Sequence, residues 1–255
     1  MFNYAKLSAK IPKKGYANTG FLLYIKGDNR FLGKGAYAMV YLPFILVSIL
    51  ETLLVLWFGF TLFNIRIKGY EIHMFIIASL TAHISYSLRA DELSYLAPLV
   101  QIVYIIICIW GLFKIQVFYS AVVAISAYAY FSIWQSIIFF AGNAWGLFSI
   151  ENVDRVPIGY IIPFLTFPIG LMSIWVVRRF NLSMDWIPSN HKQKVEWTGF
   201  NLTLTFILVA IFILYGLTIY LVSLGAYEYV VIMNILIVIL YYLLFNFSKR
   251  KDRQL

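Results

Sequence analysis

Runs of mostly apolar residues, broken by short clusters of Lys, Arg, Asp, Glu, Asn and Gly, repeat along most of the chain. A bilayer core about 30 Å thick takes about 20 residues of helix, so the pattern predicts about seven spans. They run from Met39 to Ile65, Tyr70 to Leu88, Leu93 to Phe113, Val117 to Ala141, Pro157 to Val177, Gly199 to Ser223 and Glu228 to Phe247. The second is short, and only the turn Leu224-Gly225-Ala226-Tyr227 separates the sixth from the seventh. Both leave room for tilt or partly interfacial placement. The expected fold class is all-α, a polytopic transmembrane bundle, divided into a basic segment 1–38, the bundle 39–247 and a basic tail 248–255.

Composition agrees with this pattern. The 255 residues are 62% apolar and 12% charged, whereas a soluble domain averages about 45–50% apolar and about 25% charged. A soluble globule, a coiled coil and a disordered chain are all poor fits. The formal charge of +9 does not indicate nucleic acid, because a nucleic-acid reader carries its basic face on a soluble module. Here the basic residues flank apolar runs, and their expected partner is the lipid bilayer surface. Cys108 is the single cysteine and lies in an apolar stretch, so neither a disulfide framework nor a Cys-based metal site is expected.

Basic loops stay on the cytoplasmic side of a membrane. With the first span starting outside, the inner segments hold Arg66, Lys68, Lys114, Arg178, Arg179, Lys192, Lys194, Lys249, Arg250, Lys251 and Arg253. The outer loops hold only Arg89 and Arg155, beside Asp91, Glu92, Glu151, Asp154 and Glu228. The expectation is therefore an outer N-terminus and a cytoplasmic C-terminus, in a bacterial cytoplasmic membrane. Residues 1–38 conflict with it, since Lys6, Lys10, Lys13, Lys14, Lys26, Arg30 and Lys34 stand there against one acid, Asp28. The segment holds no span and no secretory h-region of about 7–15 apolar residues. One reading is a translation start at Met39: Lys34-Gly35 can be encoded AAA GGA, a purine-rich ribosome-binding sequence just ahead of the ATG. The other is a genuine basic tail, with the topology reversed or one span misassigned. Codons at positions 34 and 35 other than AAR-GGA or AAR-GGG remove the first.

A charged side chain at the bilayer centre is costly and is by default a functional candidate. Glu51 qualifies, about 18 Å along the helix from Met39 and about 22 Å from Arg66. A carboxyl there is expected to be neutral or hydrogen-bonded, because desolvation disfavours a bare charge. His83, Gln101 and Gln135 fall at similar reckoned depth, which places all four in the outer half of the membrane. They are either separate interhelical hydrogen bonds, each worth about 0.6–2 kcal/mol in lipid, or one outward-facing pocket for a peptide or lipid ligand. Ser79, His83, Tyr86 and Ser87 share one helical face, expected to point into the bundle. His73 reads as interfacial, and no metal or cofactor is assigned. Pro163 and Pro168 remove two backbone donors from the fifth span; their functional reading is a hinge and their plain reading is packing. The seven tryptophans lie mostly near span ends, where indole suits the interface.

No Gly-rich phosphate loop, G-x-S-x-G elbow or H-E-x-x-H motif occurs, and Cys108 has only His83 at comparable depth as a base. The chain is not expected to be an enzyme.

Leu50-Glu51 in the first span, Arg66-Ile67-Lys68 after it, Arg178-Arg179 after the fifth and the exit Ser248-Lys249-Arg250-Lys251 form a recognisable layout. It resembles the membrane sensor region of Firmicute peptide-pheromone sensor histidine kinases of the accessory gene regulator type, over about Met39 to Lys251. In that family the last helix continues into a phosphoacceptor-His helix and an ATP-binding domain, which this sequence lacks. The resemblance implies a sensor module signalling to a separate cytoplasmic, kinase-like partner. The alternative is a transport component or permease subunit, which calls for a helix broken at the midplane, and Pro163 to Pro168 is the one candidate.

Overall fold

The computed structural model describes residues 34–90, 93, 96–147, 156–188, 195 and 197–253. Residues 1–33, and Asp91, Glu92, Glu151, Asp154, Arg155, Lys192 and Lys194 of the charge argument, lie outside the described residues. Among those described, the chain forms seven α-helices and no strand: α1 (Lys34–Leu62), α2 (Glu71–Ala90), α3 (Ala97–Leu112), α4 (Val117–Ala144), α5 (Val156–Arg179), α6 (Gly199–Ser223) and α7 (Tyr227–Asp252).

The helices end where local chemistry stops them. Gly146 and Gly225 follow α4 and α6 at φ of 72°, a left-handed conformation that costs glycine nothing. The next amides then turn back to the helix: Leu147 N–H donates to the Gly142 carbonyl at 2.8 Å and Ala226 N–H to the Leu221 carbonyl at 2.9 Å. Asn64 and Asn181 do the same after α1 and α5 (φ 48° and 49°), asparagine being the side chain best suited to that region after glycine. At the last helix the sequence reading falls short. Its apolar run stops at Phe247, yet α7 continues to Asp252, so most of the basic tail is helical.

Five helices are long and apolar enough to cross a membrane: α1 over Tyr41–Leu62, α4, α5 over Ile161–Arg179, α6 over Gly199–Val222, and α7. The other two fall short for different reasons. α3 has 16 residues, about 24 Å of rise, and α2 carries Glu71, His73 and His83 among its 20 residues.

α1 packs against α2, α5 and α4, while α4 also faces α3, α6 and α7; α6 and α7 form a close hairpin. Small residues set the tightest crossings, as lipid favours, because close backbone approach there replaces the hydrophobic driving force. A Cβ on Gly59 would lie 3.1 Å from Val123 Cγ1 on α4, and one on Gly170 would meet the buried Leu54 of α1, 2.8 Å from its Cγ. Phe58 of α1 stacks on Tyr130 of α4 (centroids 4.3 Å, 17°) and meets Phe131 edge-on. The outward faces are apolar too, with Phe206, Val209 and Ile213 on α6 and Ile232, Ile235 and Ile239 on α7 exposed. Lipid tails match such a surface, whereas water would not.

All seven helices have one end in common. There Phe113 at the close of α3 packs on Phe60 of α1 and on Tyr70 ahead of α2. Arg178 of α5 lies over the Trp57 ring of α1 at 5.6 Å, and Lys251 of α7 lies near Tyr119 of α4 and Phe200 of α6. Arg66, Lys68, Lys114, Arg178, Arg179 and the 249–253 cluster all belong to this basic end.

Candidate functional site

Glu51 lies ten residues from Tyr41 and eleven from Leu62, at the middle of the apolar part of α1. Among the described residues it is the one carboxylate remote from a helix end. Its Oε1 accepts a hydrogen bond from Gln135 Nε2 of α4 at 2.5 Å, and both side chains are half-buried. The next residue, Ser136, points about 100° further round α4 and donates from its hydroxyl to Asn234 Oδ1 of α7 at 2.9 Å. Asn234, buried, passes its own Nδ2 hydrogen to the Val230 carbonyl at 2.9 Å. Glu51, Gln135, Ser136 and Asn234 therefore make a polar tier across α1, α4 and α7. Asn234 lies eighteen residues from the Asp252 end of α7, about 27 Å, so the tier sits nearer the end opposite the basic one.

The four candidate residues do not form one cluster. His83 Nδ1 shares a 2.8 Å hydrogen bond with the hydroxyl of Tyr41, about 15 Å along α1 from Glu51. Tyr86 meets Tyr41 edge-on, with ring centroids 4.7 Å apart. Gln101 is half-buried on α3, and no hydrogen bond joins it to the other three. Counting residues from loop ends reckoned all four at one depth; tilt and offset of the helices undo such reckoning.

The face Ser79-His83-Tyr86-Ser87 turns inward only in part: Ser79 and Tyr86 are half-buried, with Tyr86 against Tyr41 and Phe44 of α1. The buried positions of α2 are Met74, Ile77, Ala78, Thr81, Ala82 and Ser85, while His83 and Ser87 are exposed. His83 follows Thr81 by two residues, about 200° round the helix.

Pro163 and Pro168 both lie inside α5, which runs unbroken through them. Thr166 between them donates its hydroxyl hydrogen toward the Ile162 and Pro163 carbonyls, at 2.9 and 2.8 Å, the way membrane helices accommodate proline. His73 is half-buried beside Tyr70 and Phe113. Among the described residues no three His, Cys, Asp or Glu side chains are placed to hold a metal ion.

The basic end carries a second polar network that residue patterns did not single out. After α5 the chain runs under the bundle: Met184 N–H donates to the Leu62 carbonyl at the close of α1, at 2.8 Å. Asp185 Oδ1 accepts from Asn64 Nδ2 at 2.6 Å, and its backbone N–H donates to Asp252 Oδ1 of α7 at 2.6 Å. One loop thus fastens the end of α1 to the end of α7. Trp186, 3% exposed, is core to this junction and departs from the interfacial role expected of the tryptophans. Asp185 and Trp186 stand out as a charged and an aromatic residue in the nineteen-residue connection 180–198 between α5 and α6, which was the available signal; their partners, scattered from Asn64 to Asp252, gave none.

No family model, curated protein or solved structure matches the chain.

Proposed function

We propose that the chain is a non-enzymatic, multi-pass membrane sensor or accessory module whose first long helix carries the response. The observation that carries the reading is the mid-span carboxyl of Glu51 held by Gln135, on the helix whose far end is tied through Asn64 and Asp185 to Asp252 of α7. A ligand that binds one arrangement of α1 against α4 better than another shifts the population between them. Because the end of α1 and the tail share a loop, that shift reaches the Lys249–Arg253 cluster directly. A small peptide or a lipid, reaching Glu51 from the end opposite the basic one, is the proposed ligand class. The charge asymmetry supports an outer N-terminus and a cytoplasmic C-terminus, so the tail faces a cytoplasmic, kinase-like partner. The layout shared with accessory-gene-regulator-type sensor regions agrees with this division of labour.

Transport has less support, because α5 is continuous through Pro163 and Pro168, the segment where a broken helix was to be sought. Purification of the native complex in its own lipids, with mass spectrometry of the whole eluate, tests the reading. A kinase-like companion that is lost when residues 249–253 are replaced by Ser is the expected result. Permease subunits in its place, with solute uptake by reconstituted vesicles, would overturn it.

A further inference from the structure

Lys251 is half-buried although it lies in the last turn of α7, beyond the apolar run, where a lysine ordinarily extends into water. Its Nζ donates to Asn201 Oδ1 at 2.6 Å and stands 4.0 Å from the ring centroid of Trp186, 5.6 Å from that of Tyr119 and 6.0 Å from that of Phe200. Three ring faces and an amide oxygen around one ammonium make an aromatic cage. Ring quadrupoles stand in for part of the hydration such an ammonium loses.

The walls of the cage come from elements other than α7, although Phe200 also packs on Phe247 of that helix, with centroids 5.7 Å apart. Tyr119 belongs to α4, Phe200 and Asn201 to α6, and Trp186 to the loop, where Phe63 and Tyr119 hold it edge-on at 6.0 and 5.8 Å. Tyr119, Trp186 and Asn201 are all buried. The occupant, by contrast, is the tip of a long flexible side chain on the last turn of α7, and it can swing out while the turn stays tied to the loop through Asp252 and Asp185. Two further donors lie buried in the same region without a hydrogen-bond partner: Trp186 Nε1, and the hydroxyl of Ser248 one turn before Lys251. A buried orphan donor is costly, and an acceptor oxygen carried close to an ammonium would relieve it.

We propose that Tyr119, Trp186, Phe200 and Asn201 form a binding site for a primary ammonium borne on a phosphorylated amino alcohol, the ethanolamine phosphate group, with Lys251 as its built-in competitor. Asn201 selects a primary over a quaternary ammonium, because its carbonyl oxygen needs an N–H donor. The phosphate supplies the acceptor oxygens, and the neighbouring Lys249, Arg250 and Arg253 supply the matching charge. The group could arrive on a phospholipid or as a free metabolite. The site lies at the basic end and stands or falls independently of Glu51 and the sensing proposal.

The test uses the full chain in phosphatidylglycerol nanodiscs, titrated calorimetrically with free ethanolamine phosphate and, separately, tetramethylammonium. Native mass spectrometry after exchange into phosphatidylethanolamine nanodiscs reads lipid retention. Lys251→Ala removes the competitor; when the tail occupies the cage more than about nine-tenths of the time, apparent affinity rises at least about tenfold. The expected result is that gain, with tetramethylammonium binding more weakly and the gain lost in Lys251→Ala/Trp186→Leu. Lys251→Ala/Phe200→Leu answers the same question if the Trp186 variant does not fold. Binding of the free compound or retention of the lipid each supports the site and assigns the source. Equal binding by the native chain and Lys251→Ala, gain that survives loss of the rings, or no binding in either arm overturns it.

Discussion

Replacing Gln135 by Leu removes the hydrogen bond that its Nε2 donates to Glu51 Oε1 and puts an apolar side chain of similar size in its place. The pair is half-buried and lies mid-span, so the cost falls between two limits. An interhelical hydrogen bond in lipid is worth about 0.6–2 kcal/mol, and breaking a fully buried ion pair costs about 3–5 kcal/mol, an upper bound that Glu51, half-buried and with further contacts, does not reach. Partial exposure lets water or a headgroup reach the carboxyl, which puts Gln135→Leu at about 1–2 kcal/mol. Glu51→Leu leaves only a neutral amide unpaired, about 1 kcal/mol. The double variant replaces both polar groups by apolar ones and costs less than the sum, leaving a coupling of about 1 kcal/mol. Reversible unfolding in bicelles, measured by steric trapping for the native chain, both single variants and the double, gives the cycle. Costs that add within about 0.3 kcal/mol would refute the claim that this contact fastens α1 to α4.

Three further outcomes follow from the packing and the basic-end network. Gly170→Ala puts a methyl 2.8 Å from Leu54 Cγ and Phe131 Cε1, overpacking expected to cost about 1–3 kcal/mol; a thermal melt in detergent checks it, and adding Leu54→Ala should cost less in that background than alone. Asp252→Ala removes the acceptor of the Asp185 amide and should speed its hydrogen exchange several-fold, about 1 kcal/mol, while the Met184 amide, bonded to Leu62, changes less; equal change at both amides argues against a specific tie. Leu93→Cys in a Cys108→Ser background, probed with an impermeant thiol reagent on oriented vesicles, reports on α2 and α3. Labelling from the face opposite the tail is expected if the pair crosses, and labelling only from the tail's face shows that it merely dips into the bilayer.

Much of the fold was legible because apolar runs and helices coincide in a membrane. The run Gly199 to Ser223 is α6 residue for residue, and α4 departs from its run only at its C-terminal end. Disagreement came where composition and helix formation part company: α7 needs no apolar side chain to continue through Lys249–Asp252, since Lys and Arg are good helix formers. The polar tier was half legible, because Glu51 and Gln135 are conspicuous in apolar sequence, whereas Ser136 and Asn234 are small and easily passed over. His83 is exposed although it reaches Tyr41 of α1, because periodicity gives a face but not which way it turns, and the buried face of α2 is set by α1 and α3 together. The Lys251 cage was illegible, since Tyr119, Trp186 and Phe200 come from three separate segments of a chain that is 19% aromatic.

In the proposed sensor the Glu51–Gln135 contact and the docking of the tail are coupled through α1. Spin labels at Lys68→Cys and Arg253→Cys, both exposed positions at the basic end, in a Cys108→Ser background, read it by double electron–electron resonance in nanodiscs. A narrow distance distribution in that background that broadens or gains a second population on adding Gln135→Leu is the expected result. An unchanged distribution in a variant that is measurably destabilised, yet still folded, would contradict it.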